Sequence, residues 1–190
     1  MKLEILSNSK AWAVAAMALL GMSSCTKLAS NLKYDLNLQT ASVNFTIPAC
    51  STTSLSVTGS QTVYYNVDSF IKANTMSMLG VSNIQSVKIM SCNLELLDGT
   101  TTNNFANISS CSGGFSSDAV ATPFVTTVAN NPDAFSNNLT LPVDTTAELK
   151  DYIRNSNNFT YSLTGSLRRP TTDSLHCKAT FAFKVRVSGI

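Results

Sequence analysis

Histidine is nearly absent: His176 is the only one in 190 residues. One imidazole cannot build a His-rich metal site, and it can activate at most one of the many serines, so a Ser–His triad is not expected. Charge is scarce too. Charged residues make up 13% of the chain, 13 Lys and Arg against 11 Asp and Glu, for a net charge of +2. With no basic stripe, nucleic acid drops out as a partner. No C-x-x-C pair, no G-x-S-x-G and no P-loop glycine pattern appears. Thioredoxin-like, zinc-ribbon, serine-hydrolase and nucleotide-binding readings go with them. The apolar run Ala11 to Met22, AWAVAAMALLGM, has no charge but falls short of the ~20 residues a membrane-spanning helix needs.

That run has instead the length of the apolar core of a secretory signal, with Lys2 and Lys10 ahead of it and Glu4 as the one opposing charge. Ser23, Ser24 and Cys25 follow, two small residues and a cysteine. This arrangement resembles the lipobox of bacterial lipoproteins, with Met22 where that family usually carries Leu. The resemblance covers residues 1–25 only. It implies a signal peptide over 1–24, a lipid on Cys25 that anchors the chain to a membrane, and a mature chain that starts there. Thr26 in second place resembles lipoproteins kept at the outer membrane facing the periplasm. A lipidated N-terminus and tether then span 25–33, and 34–190 is expected to be one domain. The tether from Thr26 to about Asn31 reaches about 20 Å at ~3.3 Å per residue, so the domain stays close to its membrane.

Five cysteines leave an odd one in an exported chain, which a lipid on Cys25 explains. Cys50, Cys92, Cys111 and Cys177 remain, and an oxidising compartment would let them pair. Three connectivities are open. Symmetry about the Asp98-Gly99 turn favours Cys92–Cys111, with Cys50–Cys177 as the remainder; free thiols at one pair are the alternative.

Ser, Thr and Asn number 66 of 190 residues, so the polar surface is mostly uncharged. The expected fold is all-β with one or two short helices: an antiparallel β-sandwich of a size that suits one core. Cys177, Ala179, Phe181, Phe183, Val185 and Val187 alternate with polar residues, as a half-buried strand does. Phe159 to Leu167 alternates likewise, and together the two read as a long C-terminal hairpin. Shorter strands are expected at Leu36–Leu38, Val43–Ile47, Leu55–Val57, Val63–Val67, Val120–Val128 and Leu139–Val143, with Gly59 as a turn or bend. In Ile84–Leu97 the apolar phase slips from Val87 and Ile89 to Met90, Cys92, Leu94 and Leu96, which points to a bulge near Met90. Asp68 and Asp144 are expected to cap helices, the second over Thr145–Arg154 with Glu148 and Asp151 exposed.

Little chemistry stands out. His176 reads as a surface residue, Glu148 and Asp151 as a solvated helix face, and no cofactor or metal is expected. Met76, Met78, Leu79 and Met90 form a possible apolar contact surface, since thioethers adapt to many partners. The function expected is a non-catalytic cell-envelope module that contacts a protein or a glycan. The alternatives are a carrier of an apolar ligand and an enzyme with an unrecognised carboxylate site.

Overall fold

Strands with one apolar and one polar face bury the apolar one by stacking in two layers. The computed structural model, which describes residues 32–39, 42–51 and 56–189, is such an antiparallel β-sandwich. The first sheet takes β1 (Lys33–Gln39), β2 (Val43–Ile47), β4 (Ile84–Leu96), β7 (Asn138–Leu141) and β9 (Leu175–Ser188). Its order is β1-β9-β4-β7, and β2 joins the same edge of β9 further along, from Val43↔Ala179 to Ile47↔Leu175. The second sheet runs β3 (Ser56–Tyr64), β8 (Asn158–Leu167), β5 (Ile108–Ser117) and β6 (Phe124–Val128). Pro48 follows β2, where it cannot extend the ladder. The signal segment, Cys25, most of the tether and Leu55 lie outside the described residues.

Rings fill the space between the sheets. Tyr161 of β8 meets Phe181 of β9 at 4.6 Å between centroids, and Phe115 of β5 meets Phe183 at 5.2 Å and Phe159 at 5.8 Å. Each of these side chains is buried. Such aromatic burial contributes more than its area alone, because offset and tilted rings attract through their quadrupoles.

The expected C-terminal hairpin is corrected here. β8 and β9 are both present, but they belong to different sheets: β8 pairs with β3 and β5, and β9 with β1, β2 and β4. The segment 168–174 is long enough to cross the roughly 10 Å between stacked sheets. Crossing lets the two apolar faces bury each other, which side-by-side pairing would not. The expected pairing of β4 with β5 fails in the same way.

No disulfide joins any two of Cys50, Cys92, Cys111 and Cys177. Cys92 and Cys111 lie on strands of opposite sheets and face each other across the core, near enough for Cys111 to raise the Cys92 pKa further. Cys50 sits in a bridge to Thr171, while Cys177 lies opposite Phe45 and Leu96. Burial pushes the thiols of Cys92, Cys111 and Cys177 up to about 12, so all three are protonated at neutral pH.

Smaller expectations divide. The β4 register slips between Ile89 and Ser91, as the phase change implied. Met90 is the bulged residue and points outward, so it does not share the face of Cys92; Ile89 and Cys92 both turn in. Gly59 is not a turn but mid-strand in β3, and a Cβ there would stand 2.9 Å from the Phe45 ring. Helix α1 (Val67–Asn74) is capped by Asn66, whose Oδ1 accepts from Ser69 N at 2.9 Å, not by Asp68. Helix α2 is only Lys150–Arg154. Asp144 turns back on Thr146 N (2.8 Å), and Leu149 N donates to Val87 O at 2.9 Å, which holds the intervening chain to β4 rather than in a helix.

Candidate functional site

The two outward faces of the sandwich differ in kind. None of the four strands of the second sheet contains an Asp, Glu, Lys, Arg or His. Pairing registers place their outward residues in rows. Thr62, Thr160 and Ser116 make one, and Ser60, Ser162, Gly114 and Val125 the next; Thr58, Thr164, Ser112 and Thr127 make the third. Hydroxyls bond along the rows, Thr62 to Thr160 and Ser112 to Thr127, both at 2.8 Å. Gly114 leaves room for its neighbour, since a Cβ there would lie 2.3 Å from Ser162 Oγ. At the end of β3, Tyr64 is 68% exposed.

The first sheet carries the charge. Arg186 grips Asp35 with Nε at 2.8 Å and Nη2 at 3.3 Å, and Lys184 adds a contact at 2.9 Å. Bonds from Arg186 first and Lys184 second hold the Asp35 carboxyl far below its ordinary range. Lys178 pairs with Glu95 at 3.4 Å. A groove of about 550 Å³ runs beside Tyr34, Asp35, Gln85 and Arg186, and one of about 310 Å³ beside Lys88, Met90 and Lys184. Exposed pairs of this kind hold geometry more than they add stability.

The carboxylates named from sequence do structural work. Glu148 is not on a helix face. It accepts from Val87 N and Ser86 Oγ at 2.7 Å and from Lys150 N at 3.0 Å. Burial opposes its charge, yet these bonds leave its pKa below the usual value. Asp98 takes His176 N at 3.0 Å and also contacts the imidazole Nδ1, and that side-chain bond leads the causes that lower its pKa. The pair clamps the end of β4 to the start of β9. Among the described residues, no three His, Cys, Asp or Glu side chains gather as a metal site would need.

The four residues of the expected apolar surface are not brought together. Met76 and Met78 share one turn after α1, 84% and 49% exposed, whereas Leu79 is core. Met90 lies on the outer face of the first sheet. Cys25 is outside the described residues, and among those no helix is long and apolar enough to cross a membrane.

One set of residues escaped sequence reading: buried asparagines at the end of the sandwich where β4 leads into β5. Asn131 donates to Phe105 O at 2.7 Å and Ile108 O at 3.0 Å, and Asn107 to Thr102 O at 2.9 Å and Pro170 O at 3.0 Å. Arg168 adds Nη1 to Ala106 O (2.9 Å) and Nη2 to Asn131 O (2.6 Å). These side chains supply the donors that crossing loops cannot find in a sheet. The run Thr102-Asn103-Asn104 was the available signal, but it reads equally as an exposed turn.

The sequence matches no protein-family model and no curated protein. Among solved structures, the fold is similar to a chain of infectious bursal disease virus, Gt strain, at 9% identity and a TM-score of 0.42. The match covers 84% of this chain but 33% of that one, so this chain spans about a third of its length. The 60-mer BFDV capsid protein is similar at 11% identity and a TM-score of 0.35, over 84% of this chain and 95% of that one. TmCBM61, solved with beta-1,4-galactotriose, is similar at 9% identity and a TM-score of 0.31, over 84% and 91%. Likenesses this distant carry no argument about function.

Proposed function

We propose that this chain is a non-catalytic lipoprotein of the cell envelope, held to the outer membrane through Cys25, whose second sheet contacts a neutral glycan. The carrying observation is the row pattern of Ser and Thr hydroxyls on four strands that contain no charged residue, with the Asp118 carboxylate held at the end of the face by Asn158 at 2.6 Å. A hydroxyl rotates to donate or accept as its partner requires, which suits the mixed donors and acceptors of a sugar. Uncharged rows also have no ion to desolvate when they are covered. An acidic or basic protein surface would find no counter-charge along the three hydroxyl rows, which disfavours it as the partner. Tyr64 offers a ring at the end of the rows for the apolar side of a sugar. The carrier reading lacks support, because the rings of Phe115, Phe159, Tyr161 and Phe181 occupy the space a ligand would need.

The test is crosslinking in intact envelopes, with the chain recovered and its adducts identified. A glycan adduct should form with the wild type and fail with Thr164→Glu, which sets a charge amid the rows. Asn37→Glu, on the outer face of the first sheet, should leave it unchanged. A protein adduct equally abundant in both variants would refute the glycan reading. Intact mass reports the anchor: the wild type should carry acyl groups that Cys25→Ser lacks.

A further inference from the structure

We infer that the turn carrying Met76 and Met78 is a membrane-contacting tip that seats the domain on the bilayer holding its own anchor. This rests on the proposed lipid at Cys25. The chain enters the described fold at Leu32, whose carbonyl accepts from Gly189 N at 3.0 Å, and β1 begins with Lys33 opposite Ser188. The entry end is therefore the end where β9 stops. Helix α1 closes that same end, leaving β3 after Tyr64 and leading back to Ile84, which pairs with Val187. Asn83 Nδ2 reaches Ser188 O at 3.2 Å, and Val67, Ile71 and Leu79 plug the core beneath. Leu32 stands seven positions after Cys25, a reach of at most about 25 Å. An acylated chain keeps this end within that reach of lipid.

The turn is built to project apolar atoms. Thr75 Oγ1 donates to Ile71 O at 2.8 Å and accepts from Leu79 N at 3.2 Å, while Ser77 N donates to Lys72 O at 2.7 Å. Between these fixed points Met76 and Ser77 take φ of 51° and 60°. Glycine occupies that left-handed region without cost and methionine does not. In water, an 84% exposed thioether side chain offers nothing to offset the strain. Against a bilayer it buries its methylenes and its sulfur in the headgroup boundary, as apolar residues of interfacial segments do.

After Cys25 the chain has three methionines, Met76, Met78 and Met90, and the third serves as an internal reference. It sits six residues down β4 from Ile84, about 20 Å along the strand from the end that the tip closes, at ~3.3 Å per residue. The acylated protein is reconstituted on vesicles of phosphatidylethanolamine and phosphatidylglycerol, treated with chloramine T as a water-borne oxidant, and mapped for sulfoxide. Relative to Met90, oxidation of Met76 and Met78 should slow several-fold on vesicles compared with soluble Cys25→Ser protein. Equal relative rates in the two forms, with acyl groups present by mass, overturn the tip alone. Absence of acyl groups from the wild type overturns the anchor, and the tip with it. Protection already present in the soluble form assigns the turn to a second copy of the chain and overturns lipid as its partner.

Discussion

Replacing Asn131 by alanine removes two buried hydrogen bonds and nothing else of substance. Its backbone contacts, N to Ser109 O at 2.8 Å and O from Arg168 Nη2 at 2.6 Å, belong to the main chain and survive. What goes are the amide bonds to Phe105 O and Ile108 O. A net bond is worth about 1 kcal/mol, and a buried group left unmet costs about 1–3 kcal/mol, so the loss should total about 2–4 kcal/mol. For a domain of this length that lowers Tm by about 5–15 °C. Asn131→Asp sharpens the test, because it keeps the shape but turns an acceptor toward two carbonyls. It should be worse than alanine at neutral pH and recover in part on acidification, when the protonated carboxyl can donate one of the two bonds again. Thermal melts followed by circular dichroism, with exposed Asn155→Ala as control, decide the matter. A melt of Asn131→Ala within about 2 °C of wild type, or an aspartate tolerated at neutral pH, would refute the claim that these asparagines hold the crossing loops.

Truncating Phe183 to alanine should cost about 3–5 kcal/mol, since the ring is buried against Phe115; an unchanged urea midpoint would mean the inward face of β9 is assigned backwards. Acid should act through Asp35. Its pKa is depressed in the folded state, so its contribution is complete above the ordinary value of 3.8 and is lost as pH falls through the lower folded value. Urea midpoints taken from about pH 7 to pH 2 should fall only in the acid limb, and less steeply in Asp35→Asn; an unchanged limb in that variant would remove the Arg186 and Lys184 pairing from the account.

Alternation told which face of each strand is buried and left open which strand lies beside it. Phe181 and Tyr161 were both legible as inward residues, but inward is equally true of a neighbour in one sheet and of a facing residue in the other. The distinction rests on segment 168–174, whose length allows either route. The bulge at Met90 was legible because a phase slip leaves a mark in the pattern, although Met90 itself took the opposite face. Glu148 is exposed as expected but stands outside the helix, which begins at Lys150. Its bonds to Ser86 and Val87 join residues 61 and 62 positions apart, beyond any local pattern. The hydroxyl rows were visible as composition only. Their arrangement required the registers of β3, β8, β5 and β6.

The position of β9 bears on the order in which this chain can become folded. It is the last of nine strands among the described residues, yet β1, β2 and β4 all build on it, so three strands of the first sheet have no central partner until it arrives. Pairs such as Leu36 with Val185 close loops that span nearly the whole domain, and contacts of such separation form slowly. For a chain threaded outward amino end first, as the proposed export requires, the first sheet cannot assemble while β9 remains on the near side. On that route β1, β2 and β4 stay without their central partner until β9 has passed as well.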